Sequence, residues 1–371
     1  MSHPASMKAT PFLPYFPPGV VGWIDVFGYA VPLTWGEVTA EYQAIRHHAA
    51  MMDFSMLLKY DVRGAGAVET VNKVFSRDVS KLASGRLAYG AIVSEQGRMV
   101  DDCTVFRHGP DHLRIIGVSE KLDGFLRQNA EPGVSIVERR PEFAHLEFQG
   151  PASRSILQRL TRTDLGNAAL PYFSFREGVK LAGIDAQVSR LGFTGELGYE
   201  IMVPTDKAGA LWDALMEADG GKGLLPFGQT AIMVARIEAG LIVGGFDYTE
   251  DTTPFECGMG WAIDFDKRPF QGQSALRDLR DKARTKVVTL VFSSAQRELS
   301  GCRLLLDGTD VGGAPMVVVA PCMGGKQLGM ATVKASAAVV GTKFSVAHHP
   351  GVTAEIVKMP VYESDRAKVR S

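Results

Sequence analysis

Three glycines in seven residues, Gly192-Phe-Thr-Gly-Glu-Leu-Gly198, lead straight into Tyr199-Glu-Ile201. Glycine permits a tight loop with an exposed backbone. The strand that follows carries Glu200 between apolar neighbours. A carboxylate in such a place wants two N–H donors in one plane, and the amidine-like edge of a heterocycle supplies them. A structural Glu paired with Arg would read the same way. Arg236 lies in Ala231-Ile-Met-Val-Ala-Arg-Ile-Glu238, an otherwise apolar helical pattern. Its guanidinium meets either an anion or acceptor-rich ring in a partly buried place, or an internal carboxylate such as Glu238 or Glu200. Gly97-Arg-Met-Val-Asp-Asp102 sets two carboxylates at the start of a strand. Adjacent strand residues face opposite sides, so at most one looks inward and the two share no proton. A pair of turn aspartates is the other reading.

Further motifs carry less chemistry. Gly64-Ala-Gly-Ala-Val-Glu69 follows a strand pattern and opens a helix, but Glu69 replaces the third glycine of a dinucleotide fingerprint. Phe246-Asp-Tyr-Thr-Glu-Asp251 gathers three carboxylates without the ligand spacing of a calcium loop. No GxSxG elbow and no HExxH occurs. His47-His48 and His348-His349 are adjacent pairs whose side chains face apart, so no metal site is expected. Cys103, Cys257, Cys302 and Cys322 are widely separated, read as small buried hydrophobes, and indicate a reducing, cytoplasmic setting.

The elements that must hold these residues follow from periodicity. A helix is predicted over 34–53, with Thr34 and Glu37 as a capping box and Val38, Tyr42, Ile45, Ala49 and Met52 on one face. Strands are predicted over 58–62, 87–93, 100–106, 113–118, 144–148, 181–191 and 199–203. Helices are predicted over 67–75, 120–129, 153–160, from Thr205 through Met216, and over 229–238 and 274–282. Residues 281–285 read as a linker. Beyond it come short strands at 287–292, 303–306, 316–320, 329–334, 343–347 and 354–358 with Gly or Pro turns, the spacing of a small antiparallel barrel or sandwich. The N-terminal 19 residues are Pro-rich, read as irregular, and carry no export signal.

Composition bounds the partners. The chain has 371 residues with 40 Lys+Arg against 41 Asp+Glu, a balance without the basic surplus that nucleic acid demands. Hydrophobic residues make up 46%, yet no run approaches the roughly 20 apolar residues of a membrane span. That length exceeds what one core usually fills, so more than one domain is expected.

Six stretches in register resemble the aminomethyltransferase family, the glycine cleavage T-protein superfamily of tetrahydrofolate-dependent enzymes. They are residues 49–55 leading into Tyr60-Asp-Val-Arg-Gly64; Gly85-Arg-Leu-Ala-Tyr89; residues 97–102; residues 192–201; Arg236-Ile-Glu-Ala-Gly240; and Thr253-Pro-Phe-Glu-Cys-Gly-Met-Gly-Trp261. The resemblance runs from about residue 22 to the C-terminus. It implies an α+β fold: a three-lobed cloverleaf with folate in a central hole, a discontinuous first lobe and a C-terminal β-barrel lobe. The boundaries it suggests are 1–284 for two interleaved folate-binding lobes and 285–371 for the barrel. By motif, Glu200 matches the carboxylate that grips the pterin edge and Arg236 a second folate contact. Tyr89 and Asp101 match the wall at the reactive nitrogen, with Asp101 the catalytic carboxylate and Asp102 pointing away. Phe193 and Trp261 match aromatic positions near the same channel.

Departures from the family pattern fall on the substrate side. Met56 stands where His is usual, Ala231-Ile-Met233 replaces Ala-Arg-Asp, Gly117 replaces an Asn and Gly244 an aromatic residue. They suggest a relative that moves a methyl group from a small methylated donor to tetrahydrofolate. The alternative is a T-protein proper, served by a lipoyl carrier protein. A folate-binding iron–sulfur assembly factor fits poorly, because Lys267-Arg-Pro-Phe-Gln-Gly-Gln273 lacks the cysteine of that branch.

Overall fold

Alternating residues in the central strands bury one face and leave the other polar, and that alternation generates two facing sheets. The computed structural model describes residues 3–294 and 297–371. The first sheet has six strands in the order Phe175–Leu181, Ile184–Ser189, Gly198–Pro204, Phe143–Gln149, Ala50–Asp53 and Leu225–Pro226. All its neighbours are antiparallel except the last pair. Leu146, Phe148, Tyr199, Ile201 and Val203 point into a core shared with the helices Ser153–Leu160 and Ala208–Asp219. This lobe is discontinuous, because its strands come from both sides of the segment that builds the second sheet.

The second sheet runs Leu87–Val93, Met99–Gly109, His112–Gly117, Leu58–Arg63 and Ser135–Glu138, all antiparallel. Ile92, Cys103, Val105, Leu113 and Ile115 pack on the helices Ala67–Val74 and Leu122–Gln128. The two sheets meet through their other faces. Leu87, Phe106 and Ile116 of the second pack on Phe175 and Met202 of the first. Arg114 Nη1 donates to Gln187 Oε1 across the junction at 3.3 Å.

The third lobe is a closed six-stranded barrel whose strands lie between Thr285 and Val357. Its interior holds Leu290, Leu304, Val333 and Phe344. On its outside, Ala320, Leu328 and Met330 join Ile237, Tyr248 and Met259, so the barrel braces the helix Gln229–Glu238. After Val357 the chain leaves the barrel. Val361 and Tyr362 donate N–H groups to Glu238 O, and Arg190 Nη2 holds Ser371 O at 2.7 Å on the first lobe. The fold is thus α+β with three lobes and a C-terminal barrel, and the end of the segment beyond the last barrel strand is held to the first lobe by Arg190.

Three local expectations change. The helix predicted over 34–53 is Val38–His47, followed by the strand Ala50–Asp53. That strand is buried on both faces, and a short fully buried run has no period that separates strand from helix. Glu37 makes no capping bond; Thr34 Oγ1 donates instead to Glu41 Oε1 at 2.6 Å. The strand predicted over 181–191 is a hairpin, Phe175–Leu181 and Ile184–Ser189, turned at Ala182-Gly183, where both residues have positive φ.

Candidate active site

A β-bulge decides which aspartate faces the space between the lobes. Val93 pairs with Met99 and Ile92 with Asp101, so Val100 is an extra residue in its strand. One inserted residue inverts the side of every residue beyond it. Asp101 therefore falls on the face of Ile92 and Cys103, fully buried, where its Oδ2 accepts the N–H groups of Val118 and Ser119, each at 3.1 Å. Asp102 shares the other face with Tyr89 and Thr104. The pairing thus puts Asp102, not Asp101, on the face of Tyr89.

Asp102 is only partly buried and is held by two phenols. Tyr89 Oη donates to Oδ2 at 2.6 Å, and Tyr248 Oη donates to Oδ1. Burial pushes the Asp102 carboxyl up to about 6, with the phenols pulling it down and Asp247 adding to the rise. Burial and the nearby Asp102 charge drive the Tyr89 phenol well above its usual value, so it stays a donor. Trp261 is 63% exposed and its ring lies 6.3 Å from that of Tyr89. Tyr89 and Trp261 are thus neighbours.

The facing surface, on the first sheet, is a polar layer. Glu200 and Glu147 are directly opposite in register, beside His145 and Gln149 on the neighbouring strand. His145 Nε2 lies 3.0 Å from Glu200 Oε2. Glu147 Oε1 accepts the N–H of Phe193 at 2.6 Å, while Glu147 Oε2 and His145 Nδ1 are buried without a partner among the described residues. Burial, reinforced by Glu200, raises the Glu147 carboxyl well above the carboxylate range. Burial lowers the His145 imidazole. The layer thus offers a carboxyl acceptor at Glu200, and burial favours the neutral form of Glu147 beside it. Gln149 lies under the glycine loop: a Cβ at Gly192 or Gly198 would sit 2.1 Å from its carboxamide. Those two glycines therefore provide room for Gln149. Lys59, on the facing face of the second sheet, is buried, its Nζ donating to Leu57 O at 2.9 Å, and burial lowers it to about 7 against the pull of Asp53 and Glu200.

Arg236 does not reach the site with a free guanidinium. It is fully buried, ion-paired to Asp247, and touches Leu241 O at 3.3 Å and Met233 Sδ at 3.4 Å. The internal-carboxylate reading holds, with a partner that was not foreseen. Glu238 instead holds Arg46 at 2.8 Å and Tyr42 at 2.9 Å.

Of the three positions assigned to a substrate pocket, Met56 lies in a core, and Gly117 and Gly244 lie against Asp101 and Tyr248. Met56 joins Val31, Ile45, Met52, Phe54 and Ile232 in a core, with Phe193 partly buried beside them. A Cβ at Gly117 would lie 2.3 Å from Asp101 Oδ2. Gly117→Ala is therefore expected to displace that carboxylate and to destabilise the protein by about 1–3 kcal/mol, read as a lowered denaturation midpoint; an unchanged midpoint would show that Asp101 is free to move. A Cβ at Gly244 would lie 2.9 Å from Tyr248 Oη.

Sequence reasoning missed His145, Glu147, Lys59, Asp102 and Tyr248. A signal existed for the first two. His145, Glu147 and Gln149 alternate with Leu146 and Phe148, which places all three polar groups on the face of Glu200 once the strands pair.

The residues present suit a flat, nitrogen-rich heterocycle: two carboxyl groups and an imidazole, two of the three with unpartnered buried atoms. Fold and site together define a three-lobed enzyme with a polar sheet face opposite a carboxylate held by two phenols. The chain belongs to the GCVT N-terminal domain family, whose model matches residues 20–267. The aminomethyltransferases of that family use tetrahydrofolate, and this chain is a tetrahydrofolate-dependent transferase. An aminomethyltransferase of Geobacillus kaustophilus is 33% identical over 98% of this chain and 100% of its own length. One of Halothermothrix orenii is 30% identical over 95% of this chain and 99% of its own. The crystal structure of glycine cleavage system aminomethyltransferase T from Bartonella henselae has the same fold. Its TM-score is 0.87 at 24% identity, with 97% of this chain and 99% of that one covered.

Proposed function

We propose that the protein is an aminomethyltransferase. It takes an aminomethyl unit from a lipoyl-bearing carrier protein and gives 5,10-methylenetetrahydrofolate and ammonia. The observation that carries this reading is Asp102, ionisable near neutrality and fixed by Tyr89 and Tyr248, on the sheet that faces the Glu200 layer. Full-length relatives that bear the name aminomethyltransferase support the choice of donor. When bound, tetrahydrofolate supplies a weakly nucleophilic ring nitrogen. Glu200 accepts N–H groups of the pterin edge and Glu147 donates to a ring acceptor beside them. His145 fixes the Glu200 carboxylate in its plane. Asp102 stabilises positive charge at the transferring centre or takes the proton that the nitrogen loses. Fixing both partners in line supplies much of the acceleration. Four free cysteines support a cytoplasmic location, and no helix among the described residues is long and apolar enough to cross a membrane.

A second reading, demethylation of a small methylated ether, sulfonium or amine, draws on Met56, Met233, Gly117 and Gly244, which depart from the family pattern. One experiment separates the two. The purified protein is incubated anaerobically with tetrahydrofolate and either a lipoyl-bound aminomethyl donor or a panel of methylated compounds, and the folate product is identified by mass. A 5,10-methylene product from the lipoyl donor supports the proposal; a 5-methyl product from a methylated compound replaces it with the second reading. In the same system Glu200→Ala is expected to weaken folate binding by about 1–3 kcal/mol, measured by calorimetry; unchanged affinity would mean that the pterin lies elsewhere.

A further inference from the structure

Tyr248 stands where no family motif places a functional residue, and the loop that carries it is built to aim it. The aromatic position expected after the arginine helix is Gly244, which has no ring. Tyr248 lies against that glycine, with its Oη and Cζ 2.9 and 3.1 Å from where a Cβ would stand. The segment closes on itself: Gly245 N donates to Tyr248 O at 2.9 Å and Asp247 N to Val243 O at 2.9 Å. Asp247 between them is anchored by Arg236 and by the N–H of Val243 at 2.8 Å. The phenol then engages residue 102 twice. It accepts the Asp102 N–H at 3.1 Å and donates to the Asp102 carboxylate. With Tyr89 on the other oxygen, the carboxylate has no rotational freedom left.

We propose that Tyr248 is a positioning residue for one-carbon transfer: seated over Gly244, its phenol orients the Asp102 carboxylate from a place in the chain different from the family's usual aromatic. This rests on the reading of Asp102 given above. The other titratable groups around the carboxylate are Asp101 on the opposite face, Asp247 paired with Arg236, Tyr89, Cys103 and Cys257. Among them Tyr89 and Tyr248 are the side chains that donate to Asp102, so removing one donor favours its protonated form.

The test uses Tyr248→Phe with two readouts. In the unliganded protein, carboxyl carbon NMR follows the titration of Asp102, its signal assigned by loss in Asp102→Asn. The midpoint is expected to rise by about one pH unit. In turnover, kcat is expected to fall roughly 10-fold, with its acid limb shifted upward by the same amount and KM for tetrahydrofolate unchanged. A structural role alone would move neither pH midpoint. Gly244→Ala, which pushes the phenol without removing it, is expected to shift the NMR midpoint in the same direction and serves if Tyr248→Phe does not fold. Unmoved midpoints in an enzyme with normal wild-type activity overturn the role of Tyr248 alone. A wild-type protein that makes no folate product from any donor overturns the functional reading, and this role with it.

Discussion

Asp102→Asn is expected to lower turnover about 100- to 10,000-fold while the affinity for tetrahydrofolate stays intact. An amide takes up no proton at these pH values and carries no charge to offset a cation. It also points an N–H₂ group at one of two phenols that now donate to carboxylate oxygens. The binding layer around Glu200 is on the other sheet and is untouched by the change. Asp101→Asn should behave differently. That side chain accepts the Val118 and Ser119 N–H groups beneath Gly117, so its loss is expected as reduced stability, about 1–3 kcal/mol, with turnover of the folded fraction retained. Steady-state kinetics, calorimetric binding and unfolding of both variants decide between them. The opposite pattern, with Asp101→Asn inactive and Asp102→Asn active, would restore the assignment that the motif implies.

The pH dependence carries a definite sign. In the proposed function Asp102 acts in its ionised form, and burial raises its carboxyl to about 6. The wild-type rate is therefore expected to fall as pH drops through about 6. Its effect on stability runs the other way. A carboxyl raised on folding contributes stability below its unfolded value, and that contribution is lost as pH rises through the folded one.

The largest expected stability effect belongs to Asp247→Ala, about 3–5 kcal/mol, the cost of stranding a buried charge. Arg236 is completely enclosed, and Asp247 is its carboxylate partner. Without it the guanidinium keeps Leu241 O and the sulfurs of Met233 and Met330, which carry no formal charge. Replacing both partners together, Arg236→Met with Asp247→Leu, is expected to recover most of the loss, because apolar residues of similar volume often match a buried ion pair. Chemical denaturation of the three variants checks this. Single-variant destabilisation that the double variant does not relieve would mean that the pair has a further role. A specific loss of folate affinity in Arg236→Met, with unfolding unchanged, would return Arg236 to the binding site.

Much of this architecture was legible in the chain. Period-2 alternation located most central strands, and the change of character near residue 285 marked a barrel whose first strand begins at Thr285. The structure sets Tyr89 next to Trp261 and Glu200 in a polar layer. Ala50–Asp53 was misread because a strand buried on both faces loses the alternation that identifies it. Glu147 and His145 were visible as polar positions, but their meaning depended on register with Glu200, which only pairing supplies.

What the sequence determined by itself was composition of the site: two aspartates, a tyrosine, a glycine loop and a glutamate in the family's order. Tertiary structure decided which of these face one another. A single bulge at Val100 put Asp102 rather than Asp101 on the face of Tyr89, because side-chain direction in a strand depends on a count of residues that one insertion reverses. Loop closure put Tyr248 over Gly244, and burial fixed Arg236 on Asp247. Contacts between residues far apart in the chain have no local pattern to announce them. They form when packing brings the elements together, and there the partner of a buried charge is chosen.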